Sequence, residues 1–174
     1  TFLWWEIDGG TIVYSTIFLL TDMLSEFYGK KTAKKAVWVG FFANVMLACS
    51  VWIAINWQPA SNWGNQAAFA TTLGNTYRII IASMIAYLIS QHHDIWAYDF
   101  WKKVTKGKHL WLRNNASTAV SQLLDSVIFV TIAFYGVFPI FDMIIGLYIV
   151  KLIITTIDTP YLYAVRWYYK LHKK

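Results

Sequence analysis

The chain has 174 residues, of which 57% are hydrophobic and only 14% charged. Soluble domains are about a quarter charged, so this balance excludes an ordinary water-soluble globular fold. The net charge of +6 does not point to nucleic acid, because the basic residues fall between apolar runs instead of sharing one soluble surface. One cysteine, Cys49, excludes an internal disulfide framework. Ten Trp, eleven Tyr and eleven Phe fit a membrane chain, since amphipathic rings favour the membrane–water interfaces.

Thr1–Gly10 carries two acids and no basic stretch, so it does not read as a signal peptide. The chain also lacks an initiator Met, and we expect a preceding N-terminal segment to be missing from it. Five apolar segments follow: Gly10–Phe27, Ala36–Trp57, Thr72–Gln91, Asn115–Val137 and Met143–Val165. Each approaches the ~20 residues that carry a helix across a hydrocarbon core of about 30 Å. Unpaired backbone groups are not tolerated in lipid, and the two-residue alternation of a barrel strand is missing, so the expected fold is an all-α integral membrane bundle. No repeat or linker divides residues 1–174, which read as one domain.

Charge sets the orientation. Lys30, Lys31, Lys34 and Lys35 follow the first segment. Lys102, Lys103, Lys106, Lys108 and Arg113 lie between the third and fourth, and Arg166, Lys170, Lys173 and Lys174 close the chain. The intervening loops, Gln58–Thr71 and Phe138–Asp142, contain no Lys or Arg. The positive-inside rule then places the basic loops and the C-terminus in the cytoplasm, with Thr1–Gly9 outside, in a multi-pass inner-membrane protein. Gln58–Thr71, with Pro59 and Gly64, reads as an external turn-rich connection. His92–Lys108 mixes aromatics with lysines and reads as interfacial.

Ionisable residues within the segments carry the functional signal. Asp22, Arg78, Asp125, Lys151 and Asp158 lie inside apolar runs, with Glu26 nearer an end. Each Asp, Lys or Arg at a helix centre costs about 2.5–3.5 kcal/mol on insertion scales, so these residues must face a bundle interior or wet cavity. Asn114, Ser117, Thr118, Ser121, Gln122 and Asp125 follow helical spacing and give one helix a polar stripe. Lys151, Thr155 and Asp158 form a second stripe, and Asp22 with Glu26 a third. Three such stripes imply a shared hydrated cavity near the midplane, where transporter sites commonly sit.

Plainer roles compete with this reading. Asn114 or Asn115 can cap a helix, the small hydroxyl residues can serve helix packing, Glu26 can pair with Lys30 at i+4, and Lys151 with Asp158 can act as interhelical glue. Asp125 has no cation within a helical turn, which weakens its structural reading. His92-His93-Asp94 is a poor metal site, because adjacent histidines on a helix diverge. No Walker A, G-x-S-x-G or H-E-x-x-H string occurs, so neither enzyme chemistry nor a cofactor is expected.

Two longer strings carry a resemblance. LTDMLSEFYGKK from Leu20 to Lys31, followed by Ala33 and Trp38–Gly40, resembles the queuosine precursor transporter family, as does HLWLRNNASTAVSQLLD from His109 to Asp125, followed by Ser126 and Phe129. The resemblance runs from about Gly10 to the basic tail. It implies a six-helix fold similar to the substrate-binding subunits of energy-coupling-factor vitamin transporters, with the first helix having no counterpart here. It further implies import of 7-cyano- or 7-aminomethyl-7-deazaguanine. The alternative is the substrate-binding subunit of an ATP-driven uptake complex. A carboxylate can accept the paired N–H groups of such a base, and amide or cationic groups can donate to its carbonyl. The expected contacts are therefore a carboxylate among Asp125, Asp22, Glu26 and Asp158, with Asn115, Gln122 and Lys151 supplying the rest. Arg113 is expected at the cytoplasmic mouth as a gate. Partners are the small deazapurine and membrane lipid, with a homodimer left open.

Overall fold

The computed structural model describes residues 10–74 and 77–172. The Thr1–Gly9 segment, Asn75 and Thr76 within the third apolar run, and tail residues Lys173 and Lys174 lie outside the described residues, as does the Lys170 side chain. Among the described residues six helices follow one another: α1 Gly10–Phe27, α2 Lys30–Asn56, α3 Gln66–Gly74, α4 Tyr77–Val104, α5 Leu110–Phe134 and α6 Ile140–His172. Four helical stretches among the described residues are long and apolar enough to cross a bilayer: α2, the stretch ending in α4, α5 and α6.

The expected first span, α1, is not among those four. The reason lies in its own sequence: Asp22 and Glu26 occupy 18 residues that also include several hydroxyls. Yet Asp22 is fully buried while Val13 and Leu20 are exposed, so α1 turns its acids inward and an apolar face outward. That is the arrangement a membrane helix with internal charges requires.

Several helix boundaries differ from the sequence expectation. The lysines at 30–35 begin α2 instead of forming a loop, because Gly29, at φ 83°, turns the chain sharply between α1 and α2. Part of the expected external connection, from Gln66 onward, is helical. The interfacial stretch after His92 continues α4 through Val104. A short turn with positive φ at Lys106, Gly107 and His109 then reverses the chain into α5.

Contacts are most extensive between α4 and α5, followed by α5 with α6 and α1 with α6. The bundle is apolar outside and polar inside. Phe42, Met46, Trp52 and Ile53 of α2 are exposed, whereas Ser90, Gln91, Asp94, Ser117, Ser121 and Gln122 are buried. Such a distribution suits a lipid surround, where burial of apolar groups against protein brings no hydrophobic gain. Small apolar patches still lock the helices: Ala33, Val37, Tyr87 and Ile95 join α2 to α4, and Tyr98, Leu110 and Leu162 join α4, α5 and α6.

Arg78, placed by its sequence inside a span, lies in the first turn of α4, beside the end of α5. Its Nε and Nη2 donate to the carbonyls of Ile132 (2.6 Å) and Tyr135 (2.8 Å). It therefore caps the C-terminus of α5, where carbonyls lack helical partners and the helix dipole favours a cation.

Candidate functional site

A cavity of about 440 Å³ lies among all six helices, toward the end of the bundle that holds the N-termini of α1, α4 and α6. Its walls are largely apolar and aromatic, with Phe41, Leu47, Met84, Tyr87 and Phe129 among them. Its polar end is formed by Tyr14, Asp125 and Lys151. The volume falls within the roughly 300–1,000 Å³ typical of small-molecule sites, as does the pattern of apolar walls with few convergent polar groups.

The polar stripe of α5 delivers Asp125 to this floor. Lys151 of α6 pairs with its Oδ2, and both side chains are 2% exposed. Tyr14 of α1 donates to Asp125 Oδ1 at 2.8 Å, and Ser90 of α4 donates to the same oxygen at 3.1 Å. The Lys151 ammonium also lies 5.5 Å from the Tyr14 ring centroid, a favourable cation–π position. Four helices thus converge on one carboxylate. Neither Tyr14 nor Ser90 was among the expected site residues; both follow once α1 and α4 are known to flank α5.

The other expected residues separate into distinct places. Asp22 faces α5 and accepts from Thr118 at 3.2 Å, below the cavity. Gln122, fully buried, reaches Thr155 Oγ1 at 3.5 Å. Asn115 bonds the Trp111 carbonyl at 2.9 Å and Thr159 Oγ1 at 3.0 Å. None of these three lines the cavity. Asp158 lies instead in a shallow groove with Thr16, Met23 and Tyr161. The α6 stripe actually facing α5 runs Lys151, Thr155, Thr159: at 100° per residue, Asp158 is turned a quarter-circle away from Thr159 toward α1.

Glu26 gathers charge at the opposite end. Lys102 approaches its carboxylate at 2.9 Å, Arg113 at 3.2 Å and Arg166 at 3.5 Å. Tyr98 also donates to it at 3.2 Å. Four helices are thereby tied together at the lysine-rich face. Lys30, the i+4 partner considered for Glu26, pairs with Asp99 at 3.5 Å instead. Arg113 is wholly buried and sits 5.4 Å from the Tyr98 ring centroid.

His92 and His93 diverge as adjacent helical residues must. His92 Nδ1 pairs with the Leu88 carbonyl and His93 Nδ1 with Ser121 Oγ, each at 2.9 Å.

Comparison with known proteins follows the same lines. A family model described as putative vitamin uptake transporter matches residues 8–165. The chain is 37% identical over 161 residues to a probable queuosine precursor transporter of Bacillus subtilis (strain 168), covering 90% of this chain and 70% of that protein. It is 25% identical over 126 residues to a probable queuosine precursor transporter of Haemophilus influenzae, covering 72% of this chain and 51% of that protein. No solved structure matches it. With α-helices buried polar face to polar face, and the family match spanning nearly its whole length, this chain belongs to the putative vitamin uptake transporter family.

Proposed function

We propose that the chain imports a 7-deazaguanine precursor of queuosine, receiving it from outside in the cavity above Asp125 and Lys151. The observation that carries this reading is the cavity itself: apolar, aromatic walls lead to one buried carboxylate–ammonium pair. A flat base slides between walls such as Phe41, Tyr87 and Phe129. Its exocyclic amine takes Asp125 Oδ1 from Tyr14 and Ser90, its adjacent ring N–H shares Oδ2 with Lys151, and Lys151 donates to its carbonyl. The printed names of the two relatives supply the cargo class.

The cavity opens between helix ends joined by loops without Lys or Arg, while the Glu26 cluster closes the lysine-rich end. By the positive-inside rule the first is external and the second cytoplasmic, together with the C-terminus. We take α1 as a fifth crossing, because its acids point inward. Import then requires closure above the base and release of the Glu26 cations below it, an alternation about a fixed midplane site.

The test is uptake of radiolabelled 7-cyano-7-deazaguanine by cells expressing the protein. Asp125→Asn removes the anionic acceptor and should abolish uptake while membrane expression persists. Retained uptake in that variant would rule out the assignment.

A further inference from the structure

Beneath the cavity floor lies a second polar group that the transport reading leaves without a role. Asp22 on α1 and Asp94 on α4 are both fully buried. Asp94 has Ser121, Asp22, Thr118 and Ser117 as neighbours, yet neither of its oxygens finds a hydrogen-bond donor, nor does Asp22 Oδ1. One turn before Asp94, on the same face of α4, Gln91 is fully buried with both amide atoms unpartnered.

The surrounding hydroxyls do not supply what is missing. Ser117 Oγ donates to the Arg113 carbonyl at 2.8 Å, and Ser121 Oγ donates to the Ser117 carbonyl at 2.8 Å. Each hydroxyl carries one hydrogen, and the bond to the α5 backbone takes it. With Ser121's hydrogen so used, His93 Nδ1 is the donor in its contact with that hydroxyl. Acceptors therefore face acceptors across the α1–α4–α5 junction.

Nor do the nearby cations neutralise it. On α5, Arg113 lies within electrostatic reach of Asp22, but its Nη2 donates to Glu26 and its Nε and Nη1 reach no acceptor. On α6, Lys151 is committed to Asp125 and Arg166 to Glu26. On α2, Lys30 is paired with Asp99 of α4. The remaining titratable groups facing the pair are His93 and Tyr98 of α4 and Glu26 of α1, and Tyr98 donates to Glu26. Two adjacent buried carboxylates, with one guanidinium in reach of Asp22 and already bonded to Glu26, are one positive charge short. Like charges so placed cannot both ionise. One proton resolves the shortfall, because it neutralises one carboxyl group and gives the other a hydrogen-bond donor.

We propose that Asp22 and Asp94 share one bound proton and form the coupling site of a proton-driven import cycle, an inference that rests on the transport reading above. The proton is taken up from the outer side with the base and leaves toward the cytoplasm when the Glu26 cluster opens.

The experiment uses the purified protein in liposomes containing trapped pyranine, with radiolabelled 7-cyano-7-deazaguanine outside. An inward proton gradient should drive accumulation and acidify the lumen in step with uptake. Asp22→Asn and Asp94→Asn should retain exchange of labelled for unlabelled base but lose accumulation, leaving internal and external concentrations equal. Accumulation by Asp94→Asn like that of the parent, or accumulation driven by a sodium gradient with no luminal acidification, would overturn the proposal. Exchange without any proton movement would overturn the coupling and leave the transport reading standing. Infrared spectroscopy of the unsubstituted protein provides a readout independent of transport and of variant folding. At neutral pH it should show a deuterium-sensitive protonated-carboxyl band, and its absence would equally contradict the shared proton.

Discussion

Lys151 of α6 and Asp125 of α5 form an ion pair almost sealed from solvent at the polar end of the cavity. Removing one partner of a buried pair leaves an uncompensated charge, which costs about 3–5 kcal/mol, whereas replacing both by apolar groups is often neutral. Lys151→Met should therefore lower the thermal unfolding midpoint in detergent, and Asp125→Leu combined with Lys151→Met should recover most of it. Neither protein should transport. A double variant with restored stability and restored uptake would make the pair purely structural.

The Glu26 cluster yields a prediction about access. Glu26→Gln removes the charge that holds Lys102, Arg113 and Arg166 together and leaves Arg113 buried without an anion. Stability should fall by about 3–5 kcal/mol. In a background with Cys49 replaced by Ala, a cysteine placed at Ser117 should react slowly with an impermeant maleimide applied from the cytoplasmic side. Adding Glu26→Gln should accelerate that reaction severalfold. Equal rates would show that Glu26 does not close this end.

Gly40 of α2 provides a packing test beside the cavity. A Cβ there would meet the Tyr87 hydroxyl at 2.6 Å, while that hydroxyl donates to the Val37 carbonyl at 3.2 Å. Gly40→Ala should destabilise the α2–α4 contact by about 1–3 kcal/mol, the usual range for overpacking. Adding Tyr87→Phe removes the colliding oxygen and should restore part of the loss. Purely additive effects would show that the two positions do not touch.

Orientation is open to a direct check. A fluorescent protein fused after Lys174 should fluoresce, as expected for a cytoplasmic C-terminus, and alkaline phosphatase fused within Gln58–Asn65 should be active outside the cytoplasm. The reverse pattern would invert the proposed direction of access.

Much of this architecture could be read before any coordinates were known, for reasons visible in particular residues. The α5 stripe from Asn114 to Asp125 repeats its polar groups at helical spacing, and every member from Asn114 through Asp125 named in that stripe is buried. What the sequence concealed was pairing between helices. Nothing local announces that Glu26 prefers Arg113 and Lys102 to Lys30, since that choice depends on how α1 sits against α4 and α5.

The extent of α4 was similarly hidden. Hydropathy falls after Gln91, so the helix seems to end there, although Tyr87, Ser90, Gln91, Asp94 and Tyr98 continue one buried face. Following that 3–4-residue periodicity past the polar residues would have brought Ser90 and Asp94 into the interior. Asp158 misled for a geometric reason: seven residues from Lys151 looks like the same face, but packing against α5 follows the four-residue ridge through Thr155 and Thr159.

The cavity's role is tested most directly by protection. In the Cys49→Ala background, a cysteine at Ser83, which lines the cavity, should be modified by a small maleimide added from outside. Saturating 7-cyano-7-deazaguanine should slow that modification at least tenfold, with adenine having no effect. Modification unchanged by the deazaguanine, in a protein that still takes it up, would contradict binding in this cavity.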